Sequence, residues 1–117
     1  LGGYKVQGRD AAGAAVLADA HAVTAAGAFA LVLEKVPQRL ADQITAAVAI
    51  PTIGIGAGSE VDGQVLVIHD LIGLTHEFNP RFLRRYLNLY DDMSNAVKEY
   101  IEDVRSLDFP NEDERYS

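Results

Sequence analysis

Three short apolar runs constrain this chain more than any other feature: FALVL at 29–33, IPTIGIGAG at 50–58 and QVLVIHD at 64–70. Each is too short for a core helix and is flanked by Gly, Pro or charged residues, which marks it as a strand. The first and third barely alternate between apolar and polar residues. A strand that does not alternate is buried on both faces, as in a parallel sheet covered by helices. Strand, helix and strand recur at the spacing of βα units, so the chain is expected to be α/β with a parallel sheet.

The helices are legible between and after these runs. Asp10 is placed to cap a first helix, along which Val16, Leu17, Ala20, Val23 and Ala26 recur at near-helical spacing, and Gly27 suits its C-terminal stop. Pro37 suits the first turn of a second helix, with Leu40, Ala41, Ile44 and Val48 on one face. From Asn79 the pattern is that of helices alone, with Asn79-Pro80 as cap and first turn and Leu83, Tyr86, Leu87 and Tyr90 as a stripe. Asp91 opens a further helix carrying Met93, Val97, Tyr100, Ile101 and Val104. Residues 79–107 are therefore expected to be helical, and 108–117 a polar tail. Three parallel strands rarely make a stable sheet alone, so the pattern reads as the second half of a larger fold, for which a (β/α)8 barrel of about 250 residues is the natural candidate.

Composition narrows the function. The formal charge of -7 in 117 residues argues against a nucleic-acid footprint, which needs clustered Lys and Arg. The absence of cysteine removes disulfides, thiolate metal sites and a thiol nucleophile, and it fits a reducing, cytoplasmic setting. No apolar run approaches the roughly 20 residues that cross a bilayer. The first residue is Leu1 rather than Met, as expected of a piece of a longer chain.

Glu34 is the main candidate for chemistry. It follows FALVL directly, at what reads as the C-terminal end of a strand, where parallel α/β folds gather catalytic groups. A carboxylate held against apolar neighbours such as Leu33 is a usable general base near neutral pH; the plainer alternative is an exposed loop glutamate. Gly54, Gly56 and Gly58 alternate with Ile53, Ile55 and Ala57, so one face is bulky and helix-packed while the glycine face is open to a ligand or a barrel axis, or serves close strand packing. Ser59 stands where a dinucleotide fingerprint needs glycine. His69 and Asp70, at the end of the third strand, could orient a substrate or ligate a metal, or could stabilise a turn. His21 and His76 have no spacing partner and read as structural or exposed, Lys5 and Arg9 as an anion grip or surface charge, and the Tyr86, Tyr90, Tyr100 stripe as helix packing or a subunit contact.

Taken together, GGYKVQGR at 2–9, LVLEKVP at 31–37, IPTIGIGAG at 50–58, DGQVLVIHDLIGL at 62–74 and the FP at 109–110 resemble the ketopantoate hydroxymethyltransferase family, in order and in spacing. The resemblance implies a (β/α)8 TIM barrel, of which residues 1–117 would be the C-terminal half, with strands six to eight and the closing helices. It implies transfer of a one-carbon unit from 5,10-methylenetetrahydrofolate to 3-methyl-2-oxobutanoate, with Mg²⁺ holding the keto acid and Glu34 as the base that removes its C3 proton. The metal ligands and main keto-acid contacts would belong to the N-terminal half of the barrel, so no metal ligand is assigned to His69, Asp70 or Asp62. A large homo-oligomer is implied as well. The alternative is a catalytically incomplete piece serving as a structural or interaction module, and a third reading is a nucleotide-binding domain built on the 54–58 glycines.

Overall fold

The computed structural model describes residues 5–9 and 11–117. The chain divides into two compact units, Leu1–Leu66 with Pro80–Leu83, and Val67–Asn79 with Arg84–Ser117.

The first unit holds the sheet. Helix α1 (Ala12–Ala25) is followed by strand β1 (Leu31–Glu34), helix α2 (Gln38–Ala47), strand β2 (Thr52–Ile55) and the two-residue strand β3 (Gly63–Gln64). The sheet is parallel throughout, in the order β1-β2-β3. Residues opposite one another in a parallel pair share a face, and here Leu31 faces Thr52, Leu33 faces Gly54 and Glu34 faces Ile55.

One face of the sheet lies against the helices. Leu33, Val36, Leu40, Ala41, Ile44, Val48, Ala20 and Ala57 form a single buried cluster, with Val16 and Leu17 of α1 packed on its rim. The expected α2 face is the one that is buried. On α1 the stripe reaches the core only as far as Ala20, since Val23 is exposed and Ala26 caps the helix. Asp10 lies outside the described residues, and Ala11 occupies the N-cap position with no side-chain cap. Pro37 stands at the N-cap of α2 rather than inside its first turn.

The other face is open, which corrects the expectation of a strand buried on both sides. Leu33 is 4% exposed but its neighbour Val32 is 57% exposed, and Phe29, outside the strand, is 90% exposed. Nothing among the described residues covers Val32.

The glycines also lie the other way round from the open-wall expectation. Gly54 faces the helices: a Cβ there would sit 2.9 Å from Val61 Cγ2 and 3.4 Å from Ala57 Cβ. Close packing therefore excludes a side chain, and the isoleucines, not the glycines, share the open face with Glu34. Gly56 and Gly58 lie beyond the strand at φ +67° and +81°. This left-handed backbone turns the chain back so that Gly63 can pair beside Ile53.

Two longer elements expected from pattern are not formed. The third strand ends at Gln64, and Ile68–Leu71 is a short helix, α3, so His69 and Asp70 are helical rather than at a strand end. As the sheet edge, β3 has no further strand to extend it among the described residues, while the Thr75 hydroxyl donates to Asp70 Oδ1 and favours the compact turn. Residues 79–88 are not helical either. Within them the Tyr86 N–H donates to the Leu71 carbonyl and the Leu83 N–H to that of Pro80, and just beyond them the N–H groups of Leu89 and Tyr90 donate to the carbonyls of Ile72 and Gly73. The Arg85 guanidinium donates to the carbonyls of Thr75 (2.8 Å) and Phe78 (2.7 Å) and to Asn79 Oδ1 (3.1 Å).

Helix α4 (Leu89–Arg105) begins about where Asp91 suggests, with Asp91 and Asp92 in its first turn and Arg105 in its last, complementing the helix dipole. Its Met93, Val97, Tyr100, Ile101 and Val104 stripe is exposed. Among the described residues no helix is long and apolar enough to cross a membrane.

Ile44 is fully buried at the centre of the cluster. Ile44→Ala is expected to destabilise the protein by about 2–4 kcal/mol, whereas Val97→Ala on the exposed stripe of α4 should change stability by about 0.5 kcal/mol or less. Chemical-denaturation midpoints check both, and equal losses would contradict this core assignment.

Candidate active-site edge of the sheet

Glu34 is the last residue of β1, at the C-terminal edge of the parallel sheet, and its side chain is exposed on the open face. Alternation places Val32 on the same face, and the register adds Ile53 and Ile55 of β2. A carboxylate thus stands at the rim of an apolar surface.

The backbone just beyond Glu34 is held in an unusual state. Lys35 has φ +50°, a left-handed conformation uncommon outside glycine. Two bonds keep it there: its N–H donates to the Ile55 carbonyl (2.9 Å), and its own carbonyl accepts from the Gln7 N–H (2.8 Å). Such outliers persist only where the surroundings over-determine them, and they cluster at functional sites. Glu34 is accordingly presented on a fixed strand end rather than on a mobile loop.

The remaining candidates separate clearly. Thr52 is 0% exposed, and Asp62 satisfies it: the Thr52 N–H donates to Asp62 Oδ2 at 2.8 Å and its hydroxyl reaches the same oxygen at 3.2 Å. The Thr45 hydroxyl of α2 lies 2.8 Å from that of Thr52. This network sits at the N-terminal end of β2, opposite the edge that carries Glu34, and its work is to satisfy buried polar groups. Asp70, 5% exposed, accepts from Thr75 as a turn-stabilising carboxylate. His69 and His21 are exposed, and His76 stacks on Tyr90 at 4.2 Å. Arg9 lines an open cavity at the C-terminal edge of the sheet with Lys35 and Arg81, and Lys5 is not among the cavity's lining residues. Lys35 and Arg81 carried no signal in the sequence, because neither a left-handed lysine nor an approach from residues 80–83 follows from any local pattern. Among the described residues no three His, Asp or Glu side chains gather as a metal-ligand set.

A family model described as ketopantoate hydroxymethyltransferase matches residues 1–112. The chain belongs to that family. Proteins named 3-methyl-2-oxobutanoate hydroxymethyltransferase from Porphyromonas gingivalis and Parabacteroides distasonis are each 54% identical over 117 residues, covering 99% of this chain and 43% of the relative. One of the same name from Pelobacter propionicus is 51% identical, covering all of this chain and 44% of the relative. The chain thus spans less than half the length of the curated relatives it matches, and corresponds to their C-terminal part.

If Asp62 and Asp70 serve the fold, Asp62→Ala and Asp70→Ala should each lower stability by about 1–3 kcal/mol, the cost of stranding a buried polar partner. Thermal or denaturant unfolding reads this directly, and a variant as stable as the parent would reopen the search for another role.

Proposed function

We propose that the protein is a 3-methyl-2-oxobutanoate hydroxymethyltransferase and that this chain supplies its catalytic base. The observation that carries the proposal is the position of Glu34, at the C-terminal end of a parallel strand and followed by a backbone locked in a left-handed turn. Family membership supplies the reaction class, through the printed names of the relatives.

In this proposal the three parallel strands are strands six to eight of a (β/α)8 barrel, and the open face bearing Val32, Ile53, Ile55 and Glu34 lines its interior. Active sites of such barrels lie at the C-terminal ends of the strands, where Glu34 stands. The apolar residues beside it suit the isopropyl end of 3-methyl-2-oxobutanoate. The Glu34 carboxylate takes the C3 proton, and the C3–H electron pair becomes the enolate. The enolate carbon bonds to the one-carbon unit of 5,10-methylenetetrahydrofolate; both of that unit's carbon–nitrogen bonds break, water supplies the hydroxyl group, and the two folate nitrogens leave protonated, one by the proton taken from C3 through Glu34 and one by the remaining proton of water. A positioned carboxylate base contributes about 10²–10⁴-fold to such a step.

The Mg²⁺ implied by the resemblance does not fit the residues present, since no ligand set gathers among those described. No step here is routed through it, and its ligands are assigned to the N-terminal half of the barrel, which is also this chain's proposed partner. Homo-oligomer formation belongs to the same proposal, and the exposed stripe of α4 is a surface fit for such a contact.

In the complete protein, Glu34→Gln should abolish exchange of the C3 proton of 3-methyl-2-oxobutanoate into deuterated water, read by proton NMR, without loss of folding. Exchange at the parent rate would remove Glu34 from the mechanism. Residues 1–117 alone should show no turnover at any Mg²⁺ concentration in a coupled assay. Turnover by that span would mean that the remaining catalytic groups are already within it.

A further inference from the structure

Arg9 and the glycines after β2 have no part in proton transfer at Glu34, yet they meet in one place. At the C-terminal edge of the sheet, wholly within the first unit, lies an open cavity of about 440 Å³. Its wall includes three cations, Arg9, Lys35 and Arg81, together with Pro80, Phe82 and the Gly56 backbone.

The charge pattern is the first observation. The chain carries a net -7 and only 10 Lys and Arg in all. Three of these face one cavity, and no described Asp or Glu lines it. Two guanidinium groups, those of Arg9 and Arg81, thus stand on one cavity with no described carboxylate in its wall, which against an acidic background favours an anion from outside. The Arg9 and Arg81 guanidinium groups make no ion pair or hydrogen bond to a described residue. Their donors are available for the planar, two-pronged grip that guanidinium gives carboxylate or phosphoryl oxygens.

Rigidity is the second. The Gln7 N–H donates to the Lys35 carbonyl and the Lys35 N–H to Ile55, so the segment bearing Arg9 is fastened to the ends of β1 and β2. Arg9 and Lys35 are therefore held near one another before any ligand arrives. The third observation is the apolar side of the cavity. The Phe82 ring packs on Gly56 so closely that a Cβ at position 56 would lie 3.1 Å from ring carbons. Glycine lets the ring in, and the ring gives the cavity a flat wall beside its cations.

We propose that this cavity binds the anionic end of a ligand that carries two or more negative oxygens on a planar body, with Arg9 and Arg81 gripping the oxygens and Phe82 stacking on the body. The proposal does not depend on the role of Glu34.

Benzene-1,3-dicarboxylate, planar with two carboxylates, and inorganic pyrophosphate, an oxyanion with no planar part, are suitable probes for calorimetric titration of the complete protein. Saturable binding of the dicarboxylate is expected. Arg9→Gln and Arg81→Gln should each weaken it by about fivefold. Phe82→Ala should weaken the dicarboxylate and leave pyrophosphate unaffected, and Arg115→Gln, remote in sequence and paired with Glu112, should change neither. Circular dichroism confirms that each variant is folded. Binding of pyrophosphate alone, with the same arginine dependence, would assign the cavity to phosphoryl groups and overturn the planar part of the proposal. No saturable binding of either probe, or an equal loss in Arg115→Gln, would overturn all of it.

Discussion

The packing of α2 across β1 and β2 governs the rest of the structure. A parallel strand pair must turn one whole face to a helix, and with a period of two that choice sets the direction of every side chain. Leu33 lies in the same buried cluster as Leu40, Ala41 and Ile44 of α2. Once Leu33 points inward, Val32 and Glu34 must point outward. The register extends the choice to β2, where Thr52 and Gly54 turn to the helices and Ile53 and Ile55 away. A hydroxyl on the helix side needs partners, which Thr45 and Asp62 provide. Gly54 has no room for a side chain at all. The exposed carboxylate and the crowded glycine are consequences of the same packing decision.

The two ends of the sheet serve different purposes. At the N-terminal end of β2 the polar groups are mutually satisfied, and the Thr52–Asp62–Thr45 network ties strand, loop and helix together. At the C-terminal edge the groups are left open to solvent or ligand: Glu34 on the sheet face, with Arg9 and Arg81 around a cavity. Lys35 joins these features, because its left-handed backbone ends β1 and its two hydrogen bonds bind the neighbouring strand and the 5–9 segment. In the proposed enzyme this asymmetry matches the division of a (β/α)8 barrel into a stability face and a catalytic face.

The helical periodicities of α2 and α4 were plain in the sequence, and so was the parallel arrangement, because a short non-alternating apolar run has few other uses in a soluble fold. Glu34 could be placed at a strand end from FALVL alone. Where local pattern failed, a long-range bond had displaced it. Residues 79–88 carry a helical stripe, but the Tyr86 N–H donates to the Leu71 carbonyl and the Arg85 guanidinium to the carbonyls of Thr75 and Phe78, while the Leu83 N–H turns back to Pro80 in a single turn. QVLVIHD reads as a full strand, but as the sheet edge it pairs for two residues, and the Asp70–Thr75 bond favours a helical turn. Alternation in IGIGAG continues past the end of its strand, because Gly56 and Gly58 belong to a turn.

Local chemistry was thus enough to determine that the first two apolar runs hold strands, that the Leu40, Ala41 and Ile44 face of α2 is buried and which acid ends a strand, since each depends on residues within a few positions of one another. The face on which Gly54 lies, the pairing of Asp62 with Thr52 and the meeting of Arg9, Lys35 and Arg81 were decided by tertiary structure alone. Those contacts join segments whose separation along the chain carries no periodic signal.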